Sequence, residues 1–327
     1  MVKDLPKGLV QQEADILTNT NLLRKFKGCL LGLAIGDAVG TALEFKSRGS
    51  FEPIEDMIGG GPFNLQPGEW TDDTSMALCL ATSLLDCEGF DAKDQMDKYC
   101  AWWQDGYLSS NGCCFDIGIT VGDALMSYLD TGEPFSGSQD PYSAGNGSIM
   151  RLAPIPMYYY PDLEQAIHFS SESSRTTHGA QECLEATQLL TRCLFNSFNG
   201  VPKDRVLLSN AHPEYSSPKI EAISQGDYRT KNSDQILGTG YVVESLEAAF
   251  WCFHTTDSFR EAILKASNLG GDADTTAAIC GQIAGAYYGI EGIPESWLEL
   301  LVMKEEISVI AERLYETARR PAVYQVE

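Results

Sequence analysis

Two short segments concentrate oxygen-bearing side chains. One is Gly68-Glu69-Trp70-Thr71-Asp72-Asp73-Thr74, which runs straight into the apolar stretch Met76 to Leu85; the other is Gly270-Gly271-Asp272-Ala273-Asp274-Thr275-Thr276. Threonine and aspartate at a helix start ordinarily cap it, accepting bonds from its free N–H groups and complementing its dipole. That role would account for one aspartate per segment. Two in each, flanked by threonines, exceed what capping needs, and their mutual repulsion is costly without a counterion. A divalent cation removes that cost. Carboxylate and hydroxyl oxygens suit Mg²⁺ or Mn²⁺ in octahedral geometry, and two such segments can hold two ions about 4 Å apart.

Other positions carry weaker signals. Glu44 follows the glycine-rich run Gly36-Asp37-Ala38-Val39-Gly40, and is either a solvated glutamate or a buried acid in a cleft. Asp116 stands alone among apolar and small residues in Cys113-Cys114-Phe115-Asp116-Ile117-Gly118, as a helix cap or a catalytic carboxylate. The run Gly145-Asn146-Gly147-Ser148 can present backbone N–H groups to a phosphate, and is equally an Asn-Gly turn. His178, after Thr176-Thr177, reads by itself as structural. The remaining histidines, His168, His212 and His254, form no H-E-x-x-H, so any metal must be held by oxygen. Ten cysteines without a C-x-x-C suggest neither zinc nor a disulfide framework and fit a reducing cytoplasm.

The elements that must position these groups read as helices. Cys183, Ala186, Leu190, Cys193 and Leu194 share one face of a predicted helix over Ala180 to Phe195, with Gln181, Glu185 and Arg192 turned away. A second is predicted from the N-cap Asp257 to a stop at Gly270-Gly271, and a third from near Ala277. Gly28, Gly32, Gly36 and Gly40 recur every fourth residue, as do Gly281, Gly285 and Gly289. Each glycine inside a helix costs about 1 kcal/mol relative to alanine, so such rows need a compensating gain. Close packing of two glycine-faced helices supplies one; a flat ligand lying on the backbone is the alternative. The stretch 199–235 is polar and rich in turn-formers (Pro202, Pro213, Ser216, Ser217, Pro218), and reads as a long loop or insertion.

The chain has 327 residues, 43% hydrophobic and 21% charged, an ordinary globular balance. Length alone suggests two domains, but helices of similar character on both sides of 199–235 favour one all-α domain, residues 25–320, after an N-terminal extension, residues 1–24. The net charge of −23 repels phosphate backbones, which argues against general nucleic-acid binding. A phosphate-bearing substrate would need local neutralisation. Met1 to Leu17 contain no run of signal-peptide type, and Gly28 to Leu43, broken by Asp37, fall short of the roughly 20 apolar residues of a membrane span.

In order and spacing, G-D-A-V-G-x-x-L-E-F at Gly36 to Phe45, T-D-D-T at Thr71 to Thr74, F-D-I-G at Phe115 to Gly118, G-N-G-S-I-M-R at Gly145 to Arg151, T-H at Thr177-His178 and G-G-D-A-D-T-T at Gly270 to Thr276 resemble the ADP-ribosylglycohydrolases. Within that family the chain looks most like the dinitrogenase reductase-activating glycohydrolases and bacterial ADP-ribosylarginine hydrolases. The resemblance implies a compact all-α fold with two Mg²⁺ or Mn²⁺ ions in a cleft, held by Thr71, Asp72, Asp73, Asp272, Asp274 and Thr275. It implies substrate contacts from Gly145, Asn146, Gly147 and Ser148, with His178 and Tyr241 on the cleft wall. The implied reaction releases ADP-ribose from arginine side chains of a modified protein. Asp73 would help to deprotonate water, Asp116 would face the departing guanidinium, and Glu44 would lie near the metals. Hydrolysis of serine-linked or other O-linked ADP-ribose, or ADP-ribose binding without turnover, are the alternatives.

Overall fold

The computed structural model describes residues 7–208 and 215–320. His212 and Pro213, noted above, lie outside them. Among the described residues no β-strand forms, and extended pairing is limited to isolated bridges such as Gly145 with Tyr241. The expected all-α fold is the one observed. Helix α1 (Lys7–Gly40) is followed by α2 (Asp72–Asp86), α3 (Ala92–Asp105), α4 (Ile119–Thr131), α5 (Gly147–Met150), α6 (Pro154–Tyr159), α7 (Leu163–Arg175), α8 (Gln181–Phe198), α9 (Lys203–Val206), α10 (Pro218–Gln225), α11 (Val242–His254), α12 (Phe259–Ser267), α13 (Ala273–Tyr288), α14 (Glu295–Leu300) and α15 (Lys304–Ala318).

Helix α1 runs through the core. The stretch Thr20–Leu43 is long and apolar enough to cross a bilayer, and 94% of its most apolar window is buried inside the protein, as in the central helix of a packed core. The glycine rows explain how α13 lies along it. A Cβ on Gly28, Gly32, Gly36 or Gly40 would come within 2.2, 2.4, 2.1 or 2.4 Å of the carbonyl oxygens of Gly285, Gly281, Ala277 and Ala273 respectively. Reciprocally, a Cβ on Gly281 would lie 2.0 Å from the oxygen of Gly32, and one on Gly285 1.8 Å from that of Gly28. Backbone touches backbone, so the rows are a packing seam. Gly289 closes it, its carbonyl carbon 2.7 Å from where a Cβ on Gly28 would lie, and ends α13 with φ +74°, a conformation that favours glycine.

Four expectations need correction. Cys183, Ala186, Leu190, Cys193 and Leu194 are buried on α8 as the periodicity predicts, but Glu185 is buried too. Its carboxylate accepts bonds from Ser216 N (2.8 Å) and Ser217 N (2.9 Å), because the segment 199–235 folds back over α8. The described residues of that segment form a packed cover of short helices, with Ile220, Ile223 and Tyr228 buried and Ile236 buried just beyond it, where a long loop or insertion was expected. Helix α12 is capped by Ser258, whose Oγ accepts from Glu261 N at 3.2 Å, one residue beyond the expected Asp257. Helix α13 begins at Ala273, about a turn earlier than expected, which places Asp274 and Thr275 in its first turn.

Candidate active site

The starts of α2 and α13 meet where the glycine seam ends. Thr71 and Asp272 occupy their N-cap positions, but neither side chain makes a capping bond. The caps come from the α1 side of the seam. Asp37 accepts from Thr71 N and Oγ1 (both 2.9 Å) through Oδ1, and from Thr74 N (3.1 Å) and Oγ1 (2.6 Å) through Oδ2. Seven residues on, Glu44 Oε2 accepts from Ala273 N (2.7 Å) and Asp274 N (3.4 Å). Capping therefore does not explain Asp72, Asp73, Asp272 and Asp274. Their oxygens remain for another purpose. Asp37 was missed as a site residue in the sequence, where it figures only as a break in an apolar run; a buried acid on the glycine face, seven residues from Glu44, was the available signal.

The two starts interlock through oxygen atoms. Thr71 Oγ1 lies 3.3 Å from Asp73 Oδ2 and 3.5 Å from Asp274 Oδ2, and Thr275 Oγ1 lies 3.4 Å from Asp73 Oδ2. Asp73 Oδ1 is buried with no hydrogen-bond partner. Carboxyl oxygens of Asp37, Asp73 and Asp274 fall within 4.8 Å of one another, as do those of Glu44, Asp272 and Asp274. No ion pair neutralises any of these acids among the described residues. Buried Arg151 is no exception: its guanidinium donates to Thr177 Oγ1 (2.6 Å) and lies over the Tyr99 ring. Buried acidic clusters that could hold metal ions are thus present. The all-oxygen donor set and the orphaned Asp73 Oδ1 fit hard divalent cations.

Burial disfavours the ionised form of several acids of the site, and neighbouring carboxylates add to it at Glu44, Asp72, Asp73, Asp116 and Asp274. Asp72, Asp73 and Asp274 are raised well above the usual carboxylate range. Asp37 is raised to about 6, Asp116 to about 7 and Glu44 to about 8, burial being the largest cause in each case. Acids whose folded pKa exceeds the unfolded one stabilise the fold fully below the unfolded value, near 4, and lose that contribution as pH rises through the folded values. The metal-free protein should therefore lose about 5 °C or more in Tm between about pH 5 and pH 8.5. Millimolar Mg²⁺ or Mn²⁺ should flatten that slope, as thermal unfolding at several pH values, with chelator or with cation, would reveal.

The cluster opens into a cavity of about 410 Å³, lined by Glu44, Asp72, Asp116, Asp272, Asp274 and Thr275 on one side and by Gly145, Asn146, Gly147 and His178 on another. Asp116 is no helix cap, since Gly118 holds that position for α4. It is half-buried, with φ +58°. The Gly145–Ser148 run is tied to the acids: Asn146 Nδ2 donates to Asp272 Oδ2 and to Ser245 Oγ, both at 2.8 Å. The N–H groups of Gly145 and Asn146 are used internally, donating to Ser143 O (2.8 Å) and Gly240 O (3.0 Å). Ser148 is buried at the start of α5, and its Oγ has no partner.

His178 lies beneath this run. A Cβ on Gly147 would come 2.5 Å from its Cε1, and its Nδ1 pairs with Thr177 Oγ1 at 2.8 Å. Burial, with Arg151 nearby, pushes its pKa down to about 3, so the ring is neutral and props the loop. Tyr241 faces elsewhere. Its hydroxyl donates to Glu182 and accepts from Lys219 Nζ (2.8 Å), in an adjoining cavity of about 630 Å³ that shares Thr120, Gly145 and Gly240 with the first.

Two helix starts thus turn Asp72, Asp272 and Asp274 onto one cavity of a helical domain, with Asp73 buried behind them next to Asp274. The chain belongs to the ADP-ribosylglycohydrolase family, whose sequence profile matches residues 18–323. Among its relatives, the ADP-ribosylarginine hydrolase Tri1 of Serratia proteamaculans (strain 568) is 44% identical over 93% of this chain and 82% of its own. The ADP-ribosyl-(dinitrogen reductase) glycohydrolase of Rhodospirillum rubrum is 30% identical over 89% of this chain and 94% of its own. A solved structure described as an ADP-ribosylglycohydrolase-related protein complex superposes with a TM-score of 0.81 at 40% identity, covering 91% of this chain and 99% of that one.

Proposed function

We propose that this protein hydrolyses the N-glycosidic bond between ADP-ribose and arginine side chains of a modified protein, using two Mg²⁺ or Mn²⁺ ions. The observation that carries the proposal is the pair of helix starts whose caps are supplied by Asp37 and Glu44, so that Asp72, Asp73, Asp272 and Asp274 gather there without being needed as caps. Thr71, Asp72, Asp73, Asp272, Asp274 and Thr275 would hold the ions. When bound, such ions supply positive charge and make water acidic enough to be deprotonated near neutral pH.

The protein's own groups do the rest. With cations bound beside it, Asp73, whose buried Oδ1 has no partner, would be ionised and would take a proton from water. Asp116, on the cavity wall, faces the cationic leaving group, and a carboxyl near neutral pKa can return a proton to the departing guanidine. The substrate's C1″ becomes oxocarbenium-like, so fixing its ribose is the main task, and the Gly145–Ser148 run, locked by Asn146 and His178, is the rigid wall for it. Free thiols at all ten cysteines support a reducing compartment such as the cytoplasm. Identity to the Tri1 hydrolase favours arginine over serine as the acceptor. Release of ADP-ribose from arginine-linked peptides should exceed that from serine-linked ones at equal concentration by about a hundredfold or more, since a site fitted to one leaving group rejects the other strongly. Equal rates, or faster serine release, would contradict the proposal.

A further inference from the structure

The mouth of the acid cavity carries an apolar rim that folding does not explain. Phe45 is 68% exposed and has φ +60°. Its backbone is clamped there, because Phe45 N donates to Gly271 O (2.7 Å) and Gly271 N donates to Lys46 O (2.8 Å). Glycine or asparagine adopts that conformation with less strain, and an aromatic ring left in water gains little from burial. Both features oppose stability, and such residues gather where function demands them.

The ring has company. Phe63 stands 6.4 Å from Phe45, centroid to centroid, and Phe115 5.3 Å from Phe63. Phe115 directly precedes Asp116, and Ile119, 84% exposed on the first turn of α4, lines the same cavity as Phe45. The patch thus continues the wall of the acid cavity outward, and its inner edge is formed by Glu44 and Asp116, which suit a guanidinium. A polypeptide whose modified arginine enters the cavity must lay its neighbouring residues on this rim.

We propose that Phe45, Phe63, Phe115 and Ile119 form the surface on which the polypeptide flanking the modified arginine docks, and that this surface selects apolar neighbours. The inference rests on the hydrolase activity proposed above. Its test compares three arginine-linked probes: ADP-ribosylated agmatine, and ADP-ribosylated peptides with the core Leu-Arg-Leu or Ser-Arg-Ser. Phe45→Asn should lower kcat/KM for the leucine peptide about tenfold, through KM, as loss of an aromatic anchor does. Turnover of the agmatine probe should stay within about twofold and Tm should hold or rise, since asparagine accepts positive φ. Ile119→Ser should act in the same direction. An unchanged leucine peptide, or an equal loss on agmatine, overturns the docking surface alone. A wild-type protein that releases ADP-ribose from none of the three overturns the hydrolase reading, and this inference with it.

Discussion

Asp274→Asn should reduce turnover by more than about a hundredfold, above the loss that removing an outer-shell partner causes, and should at the same time raise the Tm of the metal-free protein at about pH 8. The two effects share one cause. Asp274 lies between both acidic groupings, within 4.8 Å of Asp37 and Asp73 on one side and of Glu44 and Asp272 on the other. Without cations it is buried among like charges, which disfavours its ionised form. Asparagine keeps the shape, and its side-chain oxygen can still accept from Thr275 N, a bond of 2.8 Å in the native protein. It removes the charge and replaces one carboxylate oxygen with an NH2 group that cannot bind a cation. The variant should also lose most of the Tm increase that Mg²⁺ or Mn²⁺ gives the wild type. Retained turnover with an undiminished cation response would show that Asp274 is not part of the site.

Gly36→Ala is the largest expected effect on stability. The new Cβ would lie 2.1 Å from the carbonyl oxygen of Ala277 and 2.5 Å from its carbon, both backbone atoms that cannot swing aside. Helices α1 and α13 would have to part. Ordinary overpacking costs about 1–3 kcal/mol, and a backbone clash belongs at or beyond the top of that range. A Tm loss of about 5 °C or more is expected. Activity should fall as well, because Asp37 follows Gly36 directly and the first turn of α13 would move away from α2. Gly122→Ala is the control: its Cβ would meet only Ile117 Cδ1 at 3.9 Å, at the end of the first turn of α4, so the substitution should raise stability by up to about 1 kcal/mol. If both substitutions behaved alike in thermal unfolding, the seam would not be setting the helix spacing.

What the sequence made legible was whatever a local pattern encodes. The excess of aspartates at two helix starts and the four-residue glycine rows were visible as departures from ordinary helix composition, and both mark real features of the fold. Partners from distant parts of the chain were not visible. Nothing near Thr71 or Asp272 says that their helices are capped from α1, so Asp37 went unnoticed and Glu44 was assigned no structural task. Glu185 sat on the polar face of a periodic helix and is nonetheless buried, because the cover formed by 199–235 supplies Ser216 and Ser217 to its carboxylate. Gly289 fitted the repeat by spacing while serving as a helix stop. Tyr241, assigned with the cleft wall, turns its hydroxyl to Glu182 and Lys219, which no spacing could reveal.

Loaded with divalent cations, the acid cluster should cleave ADP-ribose from arginine at the glycosidic bond. The most direct measurement is to incubate the purified protein with an ADP-ribosylated arginine peptide and identify the products by mass spectrometry, in excess chelator and after adding back Mg²⁺ or Mn²⁺. Intact ADP-ribose and an unmodified arginine peptide are expected, formed only when cation is present. Release of AMP or phosphate, or product formation undiminished by chelator, would contradict it.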